Sequence, residues 1–217
     1  MDNNISTYQP NKLLSVFAKM IAYLLHPLFI PVYFVLLLAY YFPYEFSGIT
    51  DWQLRLKIIS TFLLTAFFPA FAVFLLWRLQ FSESIFLRTQ KERIVPYIIT
   101  MFFYWWMYYL SRNMKDQPEV LKFFYLGIFF SSIVGLISNN FVKISLHGIA
   151  MGSIAAAVIL TAFFYQTTFG VPITVVVLLA GTVCSSRLVL KNHTPFEIYA
   201  GLSTGIICQL IAYWFAM

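Results

Sequence analysis

The chain has 217 residues, of which 61% are hydrophobic, 20% aromatic and only 10% charged, with a formal charge of +6. A soluble domain of this size carries about 25% charged residues, so this chain lacks the polar side chains to cover a soluble surface. That excludes an ordinary soluble enzyme, a disordered chain and a nucleic-acid module; the 14 Lys and Arg residues stand singly between apolar blocks, as in loops at a membrane surface.

Residues 1–10 are mostly polar, with Asp2 and no basic residue. The apolar run after them is too long for a signal-peptide core, so it is expected to be a retained span. This first block, 13–42, exceeds one span. Its start, around Lys12 and Lys19, is expected to be an amphipathic interfacial piece, and His26-Pro27 and Pro31 should kink it. A polar connection, 43–53, leads to the second block, 58–77. The most polar stretch of the chain follows, SESIFLRTQKERIVP at 82–96. The third block, 97–110, is short, and a charged loop, 112–122, separates it from the fourth, 123–137. A polar turn at 138–147 precedes the fifth block, 148–164. Gly170 and Pro172 mark a tight turn before the sixth, 173–190. After the polar turn 191–195 comes the seventh, 196–217. Cys184 and Cys208 lie inside apolar stretches, which indicates neither a disulfide framework nor a zinc site.

Every block is apolar on all sides, as a lipid-embedded helix requires. The bilayer also demands internally satisfied backbones, and uninterrupted apolar runs lack the period of two that a β-barrel needs. The expected fold is all-α: a single-domain polytopic membrane bundle, 1–217, of six or seven transmembrane helices.

Under the seven-block count, three polar clusters emerge on one face, because two spans separate each from the next. The first holds Arg88, Lys91, Glu92 and Arg93. The second holds Lys143, Ser145 and His147. The third holds Ser186, Arg187, Lys191, His193 and Glu197. Cations with two histidines and a carboxylate make an anion site with acid/base groups beside it.

The third cluster reads Ser186-Arg187, five residues, His193, three residues, Glu197. It resembles the third signature of the type-2 phosphatidic acid phosphatase superfamily, Ser-Arg, five residues, His, three residues, Asp. That family's second signature is Pro-Ser-Gly-His, against Ile144-Ser145-Leu146-His147 here. Its first is Lys, six residues, Arg-Pro, against Arg88, six residues, Val95-Pro96, with Arg93 two residues earlier as a substitute cation. The resemblance covers about 80–210. The departures are Leu146 for glycine, Glu197 for aspartate and Val95 for arginine.

The resemblance implies a lipid phosphatase working through a phosphohistidine. His193 would attack phosphorus, with Glu197, one helical turn on, fixing its tautomer. His147 would protonate the departing oxygen and then activate water. Arg88, Arg93 and Arg187 would grip phosphoryl oxygens through planar forks, and Ser145 and Ser186 would add hydroxyl donors. The scheme uses no cofactor or metal, and the implied partners are a lipid phosphate and membrane lipid in a bacterial inner (cell) membrane.

Other readings of the same residues stand beside this one. Thr194-Pro195-Phe196-Glu197 is also a capping box with proline at the first helical position, which would make Glu197 structural. Lys91 and Glu92 read as a solvated loop face, His147 alone as an interfacial residue, and His26 as a packed or interfacial histidine with no evident partner. Gly148 and Gly152, and Gly201 and Gly205, have the spacing that lets helix backbones approach in lipid; pairing their helices would bring His147 and His193 together. An inert lipid-binding or transport relative, and a phosphotransferase, are the alternative functions. Charge does not choose the orientation. Lys12, Lys19, Arg78, Arg88, Lys91, Arg93, Lys143, Arg187 and Lys191 fall on the site's face, against Arg55, Lys57, Arg112, Lys115 and Lys122; setting aside Arg88, Arg93 and Arg187 leaves the two faces nearly equal.

Overall fold

The computed structural model describes residues 11–217 except 86, 88 and 115. The described residues form α-helices joined by short turns, with no strand among them. The helices are α1 (Lys12–Leu24), α2 (Ile30–Tyr41), α3 (Asp51–Phe62), α4 (Phe68–Arg78), α5 (Gln90–Asn113), α6 (Val120–Ser138), α7 (Leu146–Phe164), α8 (Gly170–Val189) and α9 (Pro195–Ala216). Taking α1–α2 and α3–α4 as continuous segments, six helices are long and apolar enough to cross a membrane. The outer surface is apolar too: Val171, Trp214 and Phe215 are among many large side chains left exposed. No soluble fold tolerates that much, so the chain is an all-α polytopic membrane protein.

Helix ends follow local chemistry that hydropathy alone misses. Thr50 and Gln53 form a capping box that starts α3 at Asp51, ahead of the predicted 58. Thr89 and Glu92 form another that starts α5 at Gln90. The stretch 90–96, expected in a loop, is therefore helical, and the short third block becomes a helix of 24 residues. At 1.5 Å per residue it is about 36 Å long. Its apolar part carries four Tyr and two Trp, whose hydropathy is modest, and it falls outside the six. It nonetheless packs antiparallel to α6, with Asn139 Nδ2 donating to Gln90 O at 2.9 Å and Tyr97 lying against Gly135.

Prolines shape two segments. Between α3 and α4 the chain widens into a π-turn, Leu63–Phe67, just before Pro69; a missing N–H and a ring clash force such a detour. Between α1 and α2 the helix breaks at Leu25 and His26, and a single turn, Pro27–Phe29, restarts it. The predicted kink is thus a full break. α1 packs on α8 with Ala18 and Ala22 buried, and exposes Leu13, Phe17 and Met20 beside Lys12 and Lys19.

The core lies among α2, α6, α7 and α8, with α9 packed on α6 and α7, and Phe34, Phe123, Phe124, Tyr125, Met151 and Val158 are almost fully buried. α7 and α9 run parallel and touch backbone to backbone. A methyl added to Gly152 would lie 2.1 Å from Leu202 O, and one added to Gly205 would lie 2.1 Å from Ile149 O. Gly148 and Gly201 are similarly crowded. Both small-residue pairs therefore face each other, as their spacing predicts.

Candidate active site

The polar loops meet at one end of the bundle. Lys143 Nζ donates to Asn192 O at 3.2 Å, and Ser145 N donates to Glu197 O at 3.2 Å. The Asn139–Gln90 bond joins the start of α5 to the same end. At the opposite end Phe42 stacks on Tyr165 at 4.4 Å, and Lys57 pairs with Asp116 at 3.0 Å. That ion pair is the main reason the Asp116 carboxyl titrates below the ordinary aspartate value.

His193 sits in the turn between α8 and α9. Its Nδ1 donates to Glu197 Oε2 at 2.8 Å, and the side chains are only 9% and 18% exposed. The same Oε2 accepts from Thr194 N at 3.2 Å, while Glu197 N donates to Thr194 Oγ1 at 3.3 Å. Both readings of Glu197 hold at once: one carboxylate closes the capping box and grips the imidazole. With the proton on Nδ1, the lone pair of His193 is on Nε2. Burial lowers the His193 pKa below its ordinary value. The Glu197 carboxylate acts against that shift, while Arg187 and Lys143 reinforce it. The ring is therefore neutral at pH 7, as an attacking nitrogen must be.

Arg187, in the last turn of α8, points into this end. With the Asn192 amide oxygen turned toward it, Nη1 and Nη2 donate there at 3.2 and 3.3 Å. Its Nε is buried and has no hydrogen-bond partner among the described residues, which leaves a guanidinium donor ready for an acceptor. Its charge is within electrostatic reach of His26, His147 and His193 alike.

His147 lies at the second position of α7, 8% exposed. Its Nε2 donates to Ala22 O at 3.0 Å. His26, set aside on sequence grounds as lacking a partner, has His147 as that partner: the two rings meet edge-on at 5.5 Å and 85°. The signal for it was present in principle, since an ionisable residue inside an apolar span is a functional candidate by default.

The other predicted residues divide. Ser145 is fully buried as the N-cap of α7, its Oγ accepting from Gly148 N at 3.2 Å. Ser186 Oγ donates to Val183 O at 2.7 Å within its own helix. Both hydroxyls therefore have helix-internal roles. Leu146, at the family's glycine position, is 43% exposed. Arg93 Nε donates to Leu87 O at 2.9 Å, holding the α4–α5 loop. Arg88 lies outside the described residues. Glu92 is no solvated bystander: its carboxylate accepts from Ser82 Oγ, Glu83 N, Thr89 N and Thr89 Oγ1, all between 2.8 and 3.0 Å. Sequence reading missed it because the Thr89–Glu92 capping box is buried in a run of charges.

The site thus offers a neutral imidazole oriented by a carboxylate, a second imidazole, and an arginine within electrostatic reach of both. Such a set can attack and stabilise an anionic phosphorus centre. Compared with protein-family models, with curated proteins and with solved structures, the chain matches none.

Proposed function

We propose that the protein is an integral-membrane phosphatase that hydrolyses a lipid phosphate or diphosphate through a phosphohistidine. The observation that carries this reading is the 2.8 Å bond from His193 Nδ1 to Glu197 Oε2, with the unsatisfied guanidinium donor of Arg187 nearby. The three-part motif resemblance supports the same chemistry, and its bacterial members are the ground for expecting the inner (cell) membrane.

In this mechanism Arg187 binds phosphoryl oxygens, and His193 Nε2 attacks phosphorus. The bond to the leaving oxygen breaks, and that oxygen takes a proton from His147. The phosphorylated ring gains positive charge, which Glu197 offsets through Nδ1–H. Water then attacks phosphorus, giving its proton to His147, and His193 leaves with the bonding pair. A substrate whose headgroup sits at the bilayer surface reaches the site without leaving the membrane.

A second reading, an inert lipid-binding relative, is favoured by the engagement of the Ser145 and Ser186 hydroxyls inside their own helices. Phosphate release by the purified protein separates the two. The panel contains a polyprenyl diphosphate, a phosphatidic acid and a short-chain phosphate, with chelator present. Release from at least one, lost in His193→Ala, supports the phosphatase; binding without release supports the inert relative.

A further inference from the structure

The acid/base histidine of the proposed reaction is held by the break in the first apolar block. His147 has one nitrogen, Nε2, committed to the Ala22 carbonyl at 3.0 Å. Ala22 belongs to the last turn of α1, just before the helix breaks. Beyond the break, Leu28 N donates to His26 Nδ1 at 3.4 Å, so His26 acts as the N-cap of the restarting turn. That bond fixes the His26 ring, and the ring stands edge-on to His147 at 5.5 Å. Phe29 also packs edge-on against His26, with ring centroids 6.3 Å apart. A straight helix through 22–30 would keep the Ala22 carbonyl for its own ladder; the break frees it for His147.

We propose that His26 is a positioning residue for His147, seating its ring on the Ala22 carbonyl so that Nδ1, not Nε2, faces the substrate. This rests on the phosphatase reading. A monoprotonated substrate phosphate first hands its proton to Nδ1; that proton goes to the leaving oxygen, and the water proton returns to Nδ1 and passes to the released phosphate, which restores the Nε2–H tautomer. The Nε2 proton stays on Nε2, donated to Ala22 O throughout, so the ring swings little between the two steps. Outer partners that orient a metal-bound imidazole matter by about 10- to 100-fold when removed, and the same scale is expected here.

The chain holds only three histidines, so imidazole nitrogen NMR on ¹⁵N-histidine-labelled protein resolves each ring, and single substitutions assign them. The expected result is Nδ1–H for His193 and Nε2–H for both His147 and His26. Two variants split the roles of His26. Asn is a good N-cap and keeps an acceptor for Leu28 N, but removes the ring. Phe keeps a ring against His147 but removes the acceptor.

Expected for His26→Asn is a mixed tautomer at His147 and a roughly 10- to 100-fold slower release from an alkyl phosphate. An aryl phosphate, whose leaving oxygen needs little acid assistance, should slow by less than about threefold. His26→Phe should restore most of the alkyl phosphate rate. Equal slowing of both substrates in His26→Asn, no rescue by Phe, or an Nδ1–H tautomer at wild-type His147 would each overturn the proposal. If the wild-type protein releases phosphate from neither substrate, the phosphatase reading fails, and the NMR tautomers alone still decide whether His26 seats His147.

Discussion

Replacing Glu197 by Gln separates the dyad from the cap. Oε2 accepts from both His193 Nδ1 and Thr194 N. A glutamine satisfies both only with its carbonyl oxygen at that position, so the Thr194 amide should keep the substituted side chain in the orientation that preserves the His193 tautomer. What is lost is the charge. Charge-assisted hydrogen bonds contribute about 1.5–3 kcal/mol against about 0.5–1.5 for neutral ones, a difference of roughly 1–2 kcal/mol. At about 1.36 kcal/mol per tenfold in rate, kcat should fall roughly 5- to 30-fold. Stability should change little, because glutamine also completes a capping box. The charge has a second signature. Glu197 raises the His193 pKa against burial, so removing it moves the ring's titration to lower pH, and the acid limb of kcat/KM should follow. Phosphate release from a lipid phosphate between pH 4 and 8, alongside thermal unfolding in detergent, measures both effects. A wild-type rate with an unmoved acid limb would refute the dyad and leave Glu197 as a cap alone.

Four further outcomes follow from the geometry. Gly152→Ala and Gly205→Ala each force a methyl against a carbonyl, and overpacking of this kind costs about 1–3 kcal/mol. Gly181→Ala, with nothing within 4 Å, should be neutral or stabilising by up to about 1 kcal/mol; detergent melting curves compare the three. Arg187→Lys should lose more activity than Lys191→Arg, since a fork reaching Asn192 becomes a point charge while Lys191 is an exposed turn residue; equal losses would count against a direct phosphate contact. Glu92→Ala should raise amide hydrogen exchange at Glu83 and Thr89, whose N–H groups lose their acceptor. The buried, neutral His193 also binds fewer protons folded than unfolded once pH drops below its ordinary 6.5. Its contribution to stability is therefore intact above about pH 6.5 and falls as pH is lowered toward the folded-state pKa, a loss that His193→Gln should remove from the pH–stability curve.

Much of this arrangement is legible in the residues themselves. Uninterrupted apolar runs announce the bundle, and parity of the spans brings 82–96, 138–147 and 191–195 to one end without any knowledge of packing. The Gly148/Gly152 and Gly201/Gly205 spacing forecasts the α7–α9 contact, because only a missing Cβ permits carbonyls that close. The four-residue interval from His193 to Glu197 forecasts their bond. Two kinds of feature escape this reading. Helix starts set by side-chain caps, such as Thr89 with Glu92, look like charged loop when hydropathy is averaged. Contacts between distant segments, such as His26 with His147 across 121 positions, leave no periodic trace. The serines carry a role that the motif does not announce: Ser145 Oγ accepts from Gly148 N at the start of α7, and Ser186 Oγ donates to Val183 O within α8.

The central claim is a covalent phosphoryl group on His193, and trapping it is the most direct measurement. Purified protein in detergent is mixed with a ³²P-labelled lipid phosphate, quenched in alkali within milliseconds to seconds, and digested for peptide mapping. The expected result is acid-labile, alkali-stable label on the peptide containing His193, absent from His193→Ala and accumulating in His147→Ala as water attack slows. Undiminished phosphate release by His193→Ala, or label on any other residue, would contradict the account.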